Sequence, residues 1–312
     1  MNKIMVNVEL VLHGDDFDLQ SISERLGLTP TELWKKGALV EGKKIVIENA
    51  EIFQGYTTPI TRKGTAWCLN TGYEETSLML DPVHKLANII GDKKEEIIKL
   101  QSEENIEVLV SFIVYVHDDS TPAPIFDKDM VTFFHSINAA VDIDMKIAPY
   151  GFYSDEEDEE SEEYNDVVKM TTAFVELEVF GDDFEPQVIT SRLNLSPTTL
   201  RMKDDSIITS KIHNLDGSIS YYSYTRRKKT SWYLGIEEEE SCDISEQARK
   251  LMELFEDKKD ILLELQKEED VEIDICFVAY VRSDKPSLII KKEFFAFAHA
   301  INATIDMDLY FK

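Results

Sequence analysis

Cysteine is scarce in this chain of 312 residues, which holds three of them. Three is an odd number for a disulfide framework, and none of Cys68, Cys242 and Cys276 recurs at the equivalent place of the internal repeat described below. We therefore expect reduced thiols, as in a cytosolic protein.

Long apolar runs are missing as well. No stretch approaches the roughly 18 apolar residues of a membrane-spanning helix. The N-terminal residues alternate like a strand and lack the apolar run and cleavage site of a signal peptide. These absences predict a cytoplasmic protein that does not bind membranes.

Positive charge is in short supply, since 33 Lys and Arg stand against 61 Asp and Glu, for a formal charge of −28. The excess is spread along the chain, with −10 in residues 1–150, −9 in 151–168 and −9 in 169–312. Such a surface repels phosphate backbones and anionic lipids. We expect no direct nucleic-acid binding, and a partner that is another protein, either basic or DNA-binding.

The chain contains an internal duplication. Gly14–Phe17 returns as Gly181–Phe184, and Arg25–Thr31 returns as Arg192–Thr198 at the same offset. The acidic run from Asp155 to Glu163 separates the copies; it repels itself and has no apolar face to bury. The sequence therefore predicts a first α+β repeat over 1–150, a flexible acidic linker over 151–168 and a second α+β repeat over 169–312.

The apolar spacing within each repeat predicts β-α-β-β-α-β followed by an added α-β, which is a ferredoxin-like order with an extension. In the first copy we expect strands over 3–13 and 106–117, a helical region over 78–103 with a break at Gly91, and a short helix over 127–136. Asp92–Glu95 has the form of a capping box that restarts the helix after the break.

Taken together, these landmarks resemble a bacterial family catalogued as domain of unknown function 4279. They are Gly14–Asp16 after the first strand, Leu26–Thr31, Trp34–Gly37, Thr65–Leu69 and a closing strand with paired aspartates. The resemblance covers residues 3–148 and 170–311, but the second copy has Arg201–Asp204 where Trp34–Gly37 would recur. It implies no established reaction. Members look like small bacterial proteins found in toxin-immunity and phage-conflict settings.

Two groups of basic residues are candidates for partner binding. Trp34 stands beside Lys35 and Lys36, and tryptophan is over-represented among binding hot spots, although a tryptophan that closes a loop is the alternative. The second group would bind a phosphate or an acidic partner, or would lie in a hairpin loop that complements Glu237 to Glu240 or protects a sheet edge. This group comprises Arg62, Lys63, Arg226, Arg227, Lys228 and Lys229.

Asp142, Asp144, Asp306 and Asp308 alternate with apolar residues in the two closing strands, and we expect them on an acidic sheet surface. Other polar residues have structural explanations. Aspartates after the first strand suit turns and helix caps better than a cation loop, and His135 and His299 suit the last turn of a helix. We find no motif for a nucleophile, phosphate loop or metal site, and expect no catalytic residue, cofactor or metal.

The sequence thus favours a non-enzymatic, protein-binding inhibitor in bacterial or phage conflict, either an immunity protein or a phage protein that blocks a defence complex. Two linked modules could engage two subunits of one target. One alternative is an acidic nucleic-acid mimic that occupies a DNA-binding enzyme. Another is an enzyme or small-molecule sensor with a site between the repeats.

Overall fold

A computed structural model describes residues 4–40, 43–47, 50–54, 60–76, 80–116, 124–147, 171–213, 219–237, 239–240, 243–281 and 288–311. The acidic linker predicted over 151–168 lies outside the described residues, as does Cys242. The chain forms two compact units. The first comprises residues 1–120 and 133–153, and the second comprises residues 121–132 and 154–312.

The described elements that precede residue 151 include eleven strands and four α-helices, more strands than the predicted β-α-β-β-α-β with an added α-β contains. The helical region breaks at Gly91, as predicted, where a short 3-10 helix (Gly91–Lys93) separates two α-helices. In chain order the elements are β1 (Ile4–Gly14), α1 (Leu19–Leu26), β2 (Glu32–Trp34), β3 (Leu39–Val40), β4 (Lys43–Ile47), β5 (Ala50–Gln54), β6 (Ile60–Thr61), β7 (Thr65–Asn70), β8 (Glu74–Thr76), α2 (Leu80–Ile90), α3 (Lys94–Glu104), β9 (Glu107–Val116), β10 (Ile125–Phe126), α4 (Lys128–Ser136) and β11 (Ala140–Ile147).

The described elements after residue 170 follow a similar order with nine strands instead of eleven, and a 3-10 helix (Glu256–Lys258) again separates the paired helices. They are β12 (Thr172–Gly181), α5 (Pro186–Leu193), β13 (Thr199–Arg201), β14 (Ser206–His213), β15 (Ile219–Arg226), β16 (Thr230–Gly235), β17 (Glu239–Glu240), α6 (Ile244–Phe255), α7 (Lys259–Glu268), β18 (Glu272–Val281), β19 (Ile289–Ile290), α8 (Lys292–Ala300) and β20 (Thr304–Phe311). The chain is therefore a mixed α and β protein built from two repeats.

The sheet of the first unit has the strand order β11, β9, β1, β7, β2, and β8 also pairs with β1. Strand β1 is antiparallel to both β7 and β9, whereas β9 is parallel to β11. Val6, Val8, Leu10 and Leu12 of β1 are fully buried, as their alternation predicts. The strand expected over 106–117 is β9, which lies between β1 and β11.

The sheet of the second unit has the corresponding order β20, β18, β12, β16, β13, and β17 pairs with β12. It also contains β10, which precedes the linker in sequence and pairs antiparallel with β20. Ala173, Val175, Leu177 and Val179 of β12 are fully buried, and α6 packs against this strand. One face of the sheet is therefore core, and the intervening residues of β12 lie on its other face.

Helix α1 begins and ends as the sequence predicts. Asp18 is its N-cap and accepts hydrogen bonds from the backbone amides of Gln20 and Ser21, which confirms a capping role for this aspartate. Gly27 follows the helix in the left-handed conformation, with φ of 63°. In the second repeat Asn194 takes this position with φ of 53°.

An arginine ties the first helix of each repeat to a later helix. Arg25 of α1 bonds to Glu96 over 2.6 Å and Glu103 over 2.7 Å, both in α3. The corresponding Arg192 bonds to Glu264 and Glu268 of α7, both over 2.6 Å. Arg25 also lies 3.9 Å from Glu104, so each planar guanidinium engages at least two carboxylates of the later helix.

The capping box predicted at Asp92–Glu95 is wrong. Helix α3 has Lys93 as its N-cap without a side-chain hydrogen bond, and Asp92 instead lies 3.1 Å from Lys93 Nζ. The reason is that the turn at Gly91 is continued as a 3-10 helix, so that no residue with an extended backbone precedes α3.

Among the described residues, no helix combines the length and apolar character that crossing a membrane requires.

Candidate functional site

The face of the second sheet that lies opposite the buried one is rich in carboxylates. Along β12, Glu176 and Glu178 alternate with the buried residues and are half-buried. Their neighbours on β18 are Cys276 and Asp274, in register with Glu176 and Glu178 respectively. Strand pairing therefore concentrates negative charge that is dispersed along the sequence.

A cavity of about 380 Å³ opens on this face. Three carboxylates, one lysine, one hydroxyl and two apolar side chains surround it. Its lining residues are Ile125, Glu178, Phe180, Lys229, Ser231, Asp274 and Asp306. The volume lies within the range of small-molecule and side-chain pockets.

The carboxylates are placed by strand register. Asp274 of β18 lies opposite Glu178 of β12 on one side and opposite Thr304 of β20 on the other. The hydroxyl of Thr304 donates a hydrogen bond to Asp274 Oδ1. Asp306 follows two residues later on β20, so it lies on the same face.

Burial and nearby negative charge raise the pKa values of Asp274 and Asp306. Burial raises the pKa of Asp274 to about 6, and the nearby charges of Asp306 and Glu178 add to this effect, while the hydrogen bond from Thr304 opposes it. Burial is also the main cause that raises the pKa of Asp306 and of Glu176. A cation brought into the cavity would relieve the repulsion.

Two protein cations lie at the border of this face. Lys229 Nζ sits 4.4 Å from the centre of the Phe180 ring and 3.2 Å from Glu272 Oε1. The Arg201 guanidinium lies 4.3 Å from the centre of the Tyr233 ring, and its Nη1 donates to the Tyr233 hydroxyl over 2.8 Å. Both cations are engaged with aromatic rings, and of the two only Lys229 lines the cavity.

The arrangement has the charge and the apolar wall to bind a cationic group. Within the described ranges, no three His, Cys, Asp or Glu side chains are grouped so that they could hold a metal ion. Cys276 is a poor nucleophile, because burial and the neighbouring acids raise the pKa of its thiol.

The same face of the first unit has a different chemistry. Ile113 and Tyr115 are buried there, with Met5 and Tyr73 packed against them, and the Tyr73 and Tyr115 rings meet edge to face at 5.6 Å. Val11 and Leu109 are cross-strand neighbours at the positions equivalent to Glu178 and Asp274 of the second unit.

The basic candidates predicted from the sequence lie in two separate places. In the first unit the Arg62 guanidinium lies 4.0 Å from the centre of the Trp34 ring, and Lys36 forms an ion pair with Asp15. Lys35 and Lys63 are exposed close by in sequence. In the second unit the run Arg226–Lys229 forms the turn between β15 and β16, and only its last residue reaches the cavity.

The four acidic candidates alternate with buried residues on β11 and β20. Asp142 and Asp144 are half-buried on β11, and burial raises the pKa of Asp142. Asp306 and Asp308 are half-buried on β20, with Asp308 3.9 Å from Cys276 Sγ. The structure thus brings Asp306 together with Lys229, while the other candidates do not line the cavity.

Sequence reasoning missed five of the lining residues, namely Ile125, Glu178, Phe180, Ser231 and Asp274. A signal was present for the glutamate, because Phe174–Phe180 places acids at alternate positions of a strand whose other residues are apolar. Ile125 gave no such signal, since it belongs in sequence to the first repeat.

A family model described as "Domain of unknown function (DUF4279)" matches residues 3–148 and 170–312. The comparisons with curated proteins and with solved structures found no match.

Proposed function

This chain belongs to the DUF4279 family, of which it carries two copies, and from that premise we propose that it is a non-enzymatic, protein-binding inhibitor. Its binding surface is the carboxylate-rich face of the second sheet. The partner presents an arginine or lysine side chain to the cavity there. The setting we propose is conflict between bacteria, or between bacteria and phages, with the cytoplasm as its place of action.

The composition of the cavity carries this proposal. Glu178, Asp274 and Asp306 outnumber Lys229, and the apolar side chains of Ile125 and Phe180 complete the wall. Arginine and lysine have an apolar stem and a cationic head, so their shape and polarity match a site with both kinds of surface. A protein with a formal charge of −28 would also attract a basic partner over a distance and accelerate association.

Nucleic-acid mimicry is the weaker alternative. A mimic needs carboxylates that are exposed and ionised along a continuous line, as phosphates are. Asp142 and Asp306 are half-buried, and burial raises the pKa of each. Recessed carboxylates suit a cationic side chain that inserts between them. They suit less well a flat protein surface that binds the phosphates of DNA.

Two finer features of the architecture belong to the same proposal. We take each repeat to be ferredoxin-like, which is supported by the strand orders β9, β1, β7, β2 and β18, β12, β16, β13, with an added strand beyond β9 or β18. We also retain the acidic linker over 151–168 as the connection that lets two modules engage one target.

The test is affinity capture from a bacterial lysate that contains candidate toxins and defence complexes. The tagged full chain is compared with the double variant Asp274→Asn/Asp306→Asn. The matched control is Asp182→Asn/Asp183→Asn, which changes the same charge at exposed positions of the second unit. Bound proteins are identified by mass spectrometry at low and moderate salt.

We expect a stoichiometric partner that the wild type and the control retain and that the cavity variant loses. Moderate salt should weaken the capture, because it screens the attraction between exposed charges. Retention of the partner by the cavity variant would contradict the proposed surface. Recovery of the wild type alone, from a lysate shown to contain the candidates, would favour an enzyme or a small-molecule sensor.

A further inference from the structure

A segment of the first repeat lies in the second unit. Residues 121–132 precede the linker, yet they belong to the compact unit that otherwise begins at residue 154. Strand β10 pairs antiparallel with β20, with Ile125 opposite Asp306 and Phe126 opposite Ile305. The Met307 amide also donates to the carbonyl of Pro124 over 3.1 Å.

The two residues of β10 point to opposite faces of this sheet, as successive strand residues do. Phe126 is fully buried, and its ring meets that of Phe295 edge to face with centroids 6.2 Å apart. Met130 and Val131, which follow in the same segment, are each 1% exposed. The contact of Phe126 with Phe295 anchors the segment in the core of the second unit.

Ile125 points to the carboxylate-rich face of the sheet. It is 49% exposed and lines the cavity beside Asp306, its partner in the strand pair. One wall of the candidate site thus comes from the first repeat, although every charged residue of the site comes from the second. The site is incomplete without this strand.

We propose that β10 is a strand that the first repeat donates to the second unit, and that it holds the two halves of the chain together independently of the linker. The candidate site then exists only in the combined protein. Assembly through β10 rests on the fold alone, and only the description of the cavity as a binding site rests on the proposed function.

The experiment cuts the linker in the otherwise intact protein. A protease recognition sequence is inserted between Glu160 and Ser161, the full chain is purified and cleaved, and complete cleavage is verified on a denaturing gel. Size-exclusion chromatography with light scattering then gives the mass at about 10 µM. We expect one species close to the 35.9 kDa of the uncut chain. Two separate folded fragments would overturn the proposal.

Variants assign the association to β10. Phe126→Ala should raise the dissociation constant of the cut halves at least tenfold, because its ring fills the core. The neighbouring Ile125→Ala is the control and should leave that constant within about threefold. Phe126→Leu serves if Phe126→Ala fails to fold, with a smaller increase in the same direction. If the cut halves of a folded Phe126 variant have the same dissociation constant as those of the wild type, the proposal is also refuted.

None of these measurements uses a ligand, so their outcome is separate from the capture experiment. If the cut halves stay together and no partner is captured, the donated strand stands while the inhibitor function falls. If the halves separate and a partner is still captured, the inhibitor function stands while the donated strand is refuted.

Discussion

The indole N–H of Trp232 donates a hydrogen bond to Thr190 Oγ1 over 3.0 Å, and Trp67 makes the same bond to Ser23 Oγ, also over 3.0 Å. Both tryptophans are fully buried, Trp67 on β7 and Trp232 on β16. The acceptor lies on the first helix of the repeat in each case. The bond satisfies a buried donor and fixes that helix against the strand.

Replacing Thr190 with valine should destabilise the protein by about 1–3 kcal/mol, because the Trp232 N–H then remains buried without an acceptor. Urea unfolding followed by tryptophan fluorescence measures this loss. The exposed neighbour Ser191→Ala is the control and should stay within about 0.5 kcal/mol of the wild type. Equal stabilities of the two variants would show that the bond contributes nothing.

Asp274 should make stability depend on pH. Because its pKa is raised to about 6 in the folded protein, the folded state holds the proton more tightly than the unfolded chain does. Its contribution is therefore most favourable below about pH 4 and is lost as the pH rises towards 6, by roughly 2–3 kcal/mol in total.

Asp274→Asn should abolish this contribution, so that its stability advantage over the wild type is larger at pH 7.5 than at pH 4.5. Urea unfolding at both values provides the measurement, and the difference between variant and wild type cancels other titrating groups. The exposed Asp182→Asn serves as control. A variant that tracks the wild type at both pH values would show that Asp274 is not strained by its surroundings.

The contact between Arg62 and Trp34 can be tested by fluorescence quenching. Trp34 is half-buried while Trp67 and Trp232 are fully buried, so acrylamide should quench mainly Trp34. Arg62→Ala removes the cation above the ring and should increase quenching while costing at most about 1 kcal/mol of stability. Lys63→Ala, one position away, should leave quenching unchanged. If acrylamide quenches the fluorescence of both variants equally, the Arg62 side chain does not shield Trp34.

The helix end at Gly27 should accept asparagine better than alanine. Its φ of 63° is unfavourable for residues with a Cβ, yet a Cβ at this position would meet no other group within 4 Å, so only the backbone conformation is at stake. Gly27→Ala should cost about 1 kcal/mol. Gly27→Asn should cost less, because Asn194 holds the equivalent position at φ of 53°. Thermal unfolding compares the two variants, and equal losses would contradict the argument.

Much of the fold could be predicted from the sequence, since local patterns determine it. Alternation identified β1 and β9, the spacing of Val83, Leu86 and Ile90 identified α2, and Gly91 marked its end. The capping box that was wrongly predicted at Asp92 shows the limit of such patterns, because the form of a helix break depends on how the two helices pack and not on the local motif alone.

The candidate site was harder to predict because it depends on strand register. Glu178 and Asp274 are far apart in sequence and meet only because β12 and β18 pair in one particular alignment. The two-residue strand β10 is too short to have a periodicity. No sequence pattern indicates that it joins the sheet of the second unit. Asp306 was found because paired aspartates recur in both closing strands.

The exchange of Val11 and Leu109 for Glu178 and Asp274 has a consequence for how such a site can arise. In an assembly of two identical chains, every substitution appears twice, so a pair of facing acids would weaken both sheets at once. A single polypeptide that holds both copies is free of this constraint. One half can keep apolar residues at these two positions, which favours stability, while its sister carries strained carboxylates there, and gene duplication thereby separates stability from specialisation.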